Sequence, residues 1–345
     1  MTIRLKKLSS QVVVITGATS GIGLTTARMA AGKDAKLVLA ARDSDALDKL
    51  AAELRAGGRE ALAVPTDVGL QEEVQALGRA AIKRFGRIDS WINNAGVSIF
   101  GRYRDVPLED QHKLFQTNFW GVVHGSLTAM ELMGENGGAI INLGSELSER
   151  AVPLQGMYSA SKHAVKGFTD SLRMEVEKDG LPISVTLIKP AAIDTMFVPH
   201  ARNYMKNEPE LPAPLYAPEV VAEAILYAAE HQQRDIFVGG AAKMVSMEGH
   251  GVPRVLDKVM NLMMFRQQRK DQPSAPDRSD ALYQPNGLEL RQRQGGHENP
   301  VLERSAYTYL TTRGKPLALS LLVGGALLAA WKMSAPQAAP ATHDA

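Results

Sequence analysis

The sequence predicts an α/β domain built on a doubly wound parallel sheet, with a helical extension at its C-terminal end. Three observations predict it. Apolar runs of strand length alternate with stretches of helical periodicity from residue 11 to residue 238. The first run opens into a glycine-rich turn and then directly into a helix pattern, which is the context of a phosphate-cradling βα unit. After about residue 250 the pattern breaks, and the composition shifts to prolines, glutamines and, finally, a charge-free apolar stretch.

The bounds are ordinary for such a domain. The chain has 345 residues, 45% hydrophobic and 22% charged. A formal net charge of +2 indicates no nucleic-acid partner. There is no cysteine, which excludes disulfides, thiolate chemistry and cysteine-held metal, and no metal site is expected. The first apolar run is too short for a signal peptide.

Residues 11–16 read as a buried parallel strand, followed by Gly17-Ala18-Thr19-Ser20-Gly21-Ile22-Gly23 and a helix over 24–31. Gly17 permits the tight turn. Gly21 and Gly23 let backbone amides approach a pyrophosphate at a helix N-terminus, where the dipole favours an anion. A second strand, 36–41, ends before Arg42-Asp43. An acid at that tip reads a ribose 2′-hydroxyl, whereas a guanidinium pairs with a 2′-phosphate. Arg42 therefore favours NADP(H), with NAD(H) as the alternative. A helix over 46–56 leads to a third strand at 60–64 and to Asp67-Val68, where Asp67 is placed to accept from an adenine amino group or to cap a helix. A helix over 70–85 and a fourth strand over 87–92 run into Asn93-Asn94-Ala95-Gly96. Side-chain amides that both donate and accept suit pinning strands and cofactor together.

A long helix, 107–133, is interrupted in pattern around Asn118-Phe119-Trp120-Gly121. The buried strand 139–143 places Ser145 just past its end. Tyr158 and Lys162 then fall four apart on one helix face. A phenol titrates near ~10, and a neighbouring ammonium favours phenolate. The pair thus points to acid–base chemistry on a carbonyl or alcohol oxygen, with Ser145 holding the same oxygen. Further strands follow at 183–188 and 235–238, with a helix over 218–230 between them. The irregular, proline-containing segment 196–218, with Phe197, Tyr204, Met205 and Tyr216, is of lid length.

Thr16-Gly17, Gly21-Ile22-Gly23, Asn93 to Gly96, Asn118, Ser145, Tyr158 and Lys162 together resemble the classical short-chain dehydrogenase/reductase family over roughly residues 8–245. The resemblance implies a seven-stranded parallel Rossmann sheet. It implies catalysis by Asn118, Ser145, Tyr158 and Lys162: Tyr158 as acid/base, Lys162 on the nicotinamide ribose and lowering the tyrosine pKa, Ser145 orienting substrate, and Asn118 supporting a relay water. It implies a cofactor set of Gly17, Ser20, Gly21, Ile22, Gly23, Arg42, Asp67, Val68, Asn94, Ala95, Gly96, Tyr158, Lys162, Ile193 and Thr195. It also implies a homodimer through the helices that carry Asn118 and Tyr158. Pro190-Ala191 stands where the family usually has Pro-Gly, and Gly144 replaces a commoner serine.

These features divide the chain into a catalytic domain (1–250), an amphipathic helix and linker arm (251–310), an apolar helix (311–335) and a tail (336–345). The helix over 252–265 is expected to pack on its own domain or to lie on a membrane surface. Residues 271–300 lack periodicity and read as a linker or partly disordered arm. Residues 316–331 carry no charge and read as a membrane anchor, with the catalytic domain left cytoplasmic by the preceding Arg313 and Lys315. The expected function is an NADP(H)-dependent oxidoreductase acting on a hydrophobic carbonyl or alcohol. The alternative is an NADP(H)-binding sensor or scaffold that acts through its C-terminal extension.

Overall fold

The computed structural model describes residues 3–240, 253–297 and 300–313. Seven parallel strands form the central sheet: β1 (Val12–Thr16), β2 (Lys36–Ala41), β3 (Ala61–Pro65), β4 (Ser90–Asn93), β5 (Gly138–Leu143), β6 (Ile183–Pro190) and β7 (Asp235–Val238). Their order is β3-β2-β1-β4-β5-β6-β7. The sequence therefore reverses direction between β1 and β4, where a doubly wound sheet opens a crevice at its carboxyl edge.

The inner strands are buried on both sides because helices cover both faces, while the edge strand β3 is half-buried. Alternate residues of one strand enter opposite cores. Val13 and Ile15 pack into one cluster with Leu37, Leu39 and the helices α1 (Gly21–Ala31) and α2 (Ser44–Ala56). Val12 and Val14 pack into the other with Val38, Trp91 and residues of α3 (Gln71–Phe85). α4 (Leu108–Phe115) and α5 (Gly121–Met133) are separated by a π-turn, Gln116–Trp120, at the place where the helical pattern of the sequence falters. α6 (Gly156–Lys178) carries Tyr158 and Lys162. The short α7 (Phe197–His200) lies in the proline-containing segment, and α8 (Pro218–Glu230) begins with proline at its first position, where a missing N–H costs nothing.

The extension is ordered where it is described. α9 (Pro253–Gln267) contributes to the lining of the interior cavity, and strand residues Arg269–Pro273 pair antiparallel with Asn207–Pro209. α10 (Ala306–Arg313) docks near the end of β7, where Gly239 donates to the Thr308 hydroxyl at 3.0 Å.

The expected membrane attachment needs correction. Among the described residues, no helix is long and apolar enough to cross a membrane. The apolar stretch 316–331 lies outside the described residues. The amphipathic helix is occupied with its own domain: Met260, Met263 and Met264 line the interior cavity, and Arg102 stacks on Phe265 at 4.9 Å. The membrane partner, the transmembrane helix and the membrane-anchored localisation are therefore dropped.

Candidate active site

Buried amides at the strand ends set the crevice. Asn94 donates from Nδ2 to the Thr16 and Gly17 carbonyls at 2.9 and 3.1 Å, while its own backbone N–H and that of Ala95 donate to Thr16 Oγ1 at 3.0 and 3.1 Å. This clamps the glycine turn to the end of β4. Gly17 has φ +64°, open to glycine at no steric cost. A Cβ on Gly23 would sit 2.0 Å from the Gly17 carbonyl oxygen, so only glycine lets α1 close on the turn. Behind it, Asn93 donates to Asn142 Oδ1 at 2.8 Å and to Ser126 Oγ at 3.1 Å, tying β4 to β5 and α5.

Two cavities meet at Gly96. The larger, about 390 Å³, contains Ile22, Asn94, Ser145, Tyr158, Lys162, Ile193 and Thr195 in its walls. The smaller, about 110 Å³, is walled by Gly17, Ser20, Arg42, Asp67, Val68 and Ala95. Of the catalytic and cofactor residues expected from the sequence, Gly21, Gly23 and Asn118 line neither. Gly21 and Gly23 belong to the turn itself. Asn118 sits in the π-turn and is fully buried; it accepts from Val97 N–H at 2.8 Å and donates to the Val97 carbonyl and Ser161 Oγ at 2.9 and 3.2 Å. Its side-chain amide holds the loop after β4 against α6.

Ser145 starts a short 3₁₀ turn and accepts from Leu147 N–H at 3.1 Å. That leaves its proton free, and its hydroxyl shares the cavity wall with the Tyr158 phenol. Burial raises the Tyr158 phenol above its ordinary value. The nearby Ser145 hydroxyl opposes this, and the Glu146 charge adds to it. Lys162 lies 5.6 Å from the ring centroid and donates to the Leu143 carbonyl at 2.7 Å. Burial pushes its ammonium down to about 8. Burial thus dominates both groups in this arrangement, and the phenol is held protonated.

Arg42 is engaged differently from the sequence expectation. Its guanidinium donates to three successive carbonyls of the C-terminal arm: Ala281, Leu282 at 3.2 Å and Tyr283 at 3.0 Å. Asp67 is held below the usual carboxylate range: burial raises it, but bonds from Gly69 N–H and Lys113 outweigh that cost.

The short chain dehydrogenase model matches residues 11–205. The chain belongs to the short-chain dehydrogenase/reductase family. It is 45% identical over 332 residues to an uncharacterized oxidoreductase, YxnA, of Bacillus subtilis, which spans 95% of this chain and 92% of that protein. The fold resembles a short-chain dehydrogenase/reductase of Burkholderia phymatum solved with NAD (29% identity, TM-score 0.66, covering 73% of this chain and 97% of that one). It also resembles an alcohol dehydrogenase of Thermococcus sibiricus solved with 5-hydroxy-NADP (28% identity, TM-score 0.58, covering 66% and 95%). A glycine cradle that admits no Cβ, leading into two joined cavities, fits a nicotinamide dinucleotide.

The sequence reading passed over several residues of these walls. Glu146 lines the larger cavity, and burial raises its carboxyl to about 7. Met260, Met263 and Met264 reach the same cavity from α9. Their i, i+3, i+4 spacing was the available signal. His200, Ala281, Pro285 and Glu289 complete the smaller cavity, and no periodicity marks the last three.

Proposed function

We propose that this dehydrogenase interconverts a carbonyl and an alcohol on an apolar substrate, with Tyr158 moving the proton and a bound nicotinamide dinucleotide supplying or accepting the hydride. The observation that carries this reading is the convergence of Ser145, Tyr158 and Lys162 on the wall of one cavity. A protonated phenol beside a serine hydroxyl offers two donors to one carbonyl oxygen. The oxygen gains a proton from Tyr158 as carbon gains hydride, and Ser145 keeps it in line. Lys162, one helical turn away, supports the charge left on the phenolate.

Apolar chemistry of the substrate is supported by the rest of the cavity lining, which includes Leu147, Phe197, Leu211 and the α9 methionines. The Phe197 ring stands edge-on to Tyr158 at 5.2 Å, closing the reacting corner against water. A homodimer is supported by exposed Leu108, Trp120, Leu127 and Met174, all on α4, the π-turn, α5 or α6.

The test is dinucleotide-linked turnover with a panel of ketones and aldehydes, from short aliphatics to long-chain and polycyclic compounds, for wild type beside Tyr158→Phe. Activity lost only in the variant, with dinucleotide binding kept, supports the assignment. A variant as active as wild type overturns it. Binding without turnover on any substrate favours the sensor reading.

A further inference from the structure

The tip of β2 lacks the acid that reads a ribose diol in sites of this construction. β2 ends at Ala41, and the nearby acids are spent. Asp43 accepts from Ala46 N–H at 2.9 Å and caps α2. Asp67 is held by Lys113 at 3.0 Å and by Gly69 N–H at 2.9 Å.

A third acid arrives from far along the chain. The arm enters beside α7, where Ala281 N–H donates to the His200 carbonyl at 2.8 Å. It passes Arg42, which binds the three carbonyls described above. It is then sewn to the glycine turn: Leu290 N–H donates to the Thr19 carbonyl at 2.7 Å, and Gly21 N–H donates to the Arg291 carbonyl at 3.0 Å. Gln292 follows, bonded to Thr25 Oγ1 at 3.0 Å and to Arg28 at 3.2 Å. Asp194 grips the far end through Gln294 and Gly295 N–H, each at 3.1 Å, and His297 at 2.7 Å. Between these anchors, Glu289 lines the smaller cavity together with Ser20, Arg42 and His200. Its charge acts on both Arg42 and His200. No hydrogen bond or ion pair occupies it among the described residues.

We propose that Glu289, carried by the C-terminal arm, is the acid that reads the adenosine ribose, and that it selects a dinucleotide with a free 2′-hydroxyl. This rests on the oxidoreductase reading and deepens it. A carboxylate accepts from ribose hydroxyls, two at once in good geometry. A 2′-phosphate placed there would meet that carboxylate and the carbonyl collar on Arg42, which are like charge and like dipole. Arg42 spends its fork on the arm's carbonyls instead of on a phosphate. Its role is to anchor the arm that delivers the acid.

The experiment is a binding measurement, independent of any substrate. Affinities for NADH and NADPH are determined on the full chain by fluorescence titration for wild type, Glu289→Gln, Glu289→Asp and Arg42→Ala. Glu289 is only half-buried, so its variants leave the core intact. The expected result is tighter NADH than NADPH binding in wild type. Glu289→Gln weakens NADH about tenfold and leaves NADPH unchanged or improved, and Glu289→Asp falls between. The proposal is overturned by tighter NADPH binding that Arg42→Ala removes while Glu289→Gln has no effect. It is overturned equally if Glu289→Gln weakens both dinucleotides alike, because a contact to a free 2′-hydroxyl acts on one only. Failure of either dinucleotide to bind at all would reject the oxidoreductase reading along with it.

Discussion

Lys162, in the second turn of α6, donates to the carbonyl of Leu143, the last residue of β5, at 2.7 Å. The bond fixes a buried cation at the strand end beside Tyr158. Burial sets that cation's pKa at about 8. The charged form prevails below that value and is lost as pH rises through it. Carbonyl reduction is expected to keep its kcat/KM up to about pH 8 and then fall with loss of one proton. Lys162→Arg stays charged and is expected to abolish that alkaline fall at a lower overall rate, whereas Lys162→Met is expected to lose on the order of a hundredfold at every pH. Steady-state pH profiles of the three proteins decide it. An unchanged alkaline limb in Lys162→Arg would show that another group titrates there.

Glu146 gives a stability signature of opposite design. Burial raises its carboxyl from 4.5 to about 7, so the favourable contribution is fully present below the unfolded value and disappears as pH rises through the folded one. Wild type is expected to lose about 1–2 kcal/mol relative to Glu146→Gln between pH 5 and pH 8, a figure reduced because the carboxyl borders an open cavity. Denaturant titrations of both proteins at the two pH values measure it. Parallel pH dependence of the two would place the ionised carboxylate in solvent.

The Asn93–Asn142 bond predicts a large structural cost. Asn142 accepts from Asn93 and from Ser126, and donates to Thr169 at 3.0 Å. Asn142→Leu strands these buried partners together and is expected to cost about 3 kcal/mol in equilibrium unfolding. A loss below about 1 kcal/mol would mean that the network rearranges freely.

Met260 and Met264 predict a split between kinetic constants. They line the cavity without approaching the reacting groups through any bond, so truncating both to alanine removes apolar contact alone. KM for long apolar substrates is expected to rise about tenfold, with kcat within about twofold, and short substrates unaffected. A collapse of kcat instead would place α9 in the chemistry.

Leu127 and Trp120 lie on the exposed side of the α5 region, at 43% and 46% exposure. Wild type is expected to sediment as the proposed dimer, and Leu127→Asp combined with Trp120→Asp as a monomer, in sedimentation velocity. A wild-type monomer would remove the homodimer from the reading.

Much of this architecture was legible beforehand, for reasons visible in particular residues. β1 over 12–15 and β2 over 37–41 are apolar because both faces are covered, and their lengths and flanking turns separate them from helices. The π-turn showed as a break in period at Asn118, a poor helix former whose side chain turned out to hold Val97. The arm was not legible. Many of its bonds to the domain run through the carbonyls of residues 281–283 and the amides of Leu290 and Gly295, and backbone groups carry no sequence signature. The state of Tyr158 was equally hidden. A Tyr-x-x-x-Lys spacing reports adjacency, but the phenol's acidity follows from burial, which depends on what the distant α9 and proline-containing segments cover.

The anchoring of Arg42 to Tyr283 joins points 241 residues apart. During synthesis, β1, the glycine turn and β2 leave the ribosome long before any of the arm exists. The sheet has every partner it needs by residue 238, so it can form first, with its nucleotide crevice still open along one side. Closing so long a loop carries a chain-entropy cost that only a preformed surface repays. The wall that the arm adds to the smaller cavity thus matures after the sheet. A nascent or prematurely terminated chain would present a folded sheet whose crevice lacks its final wall.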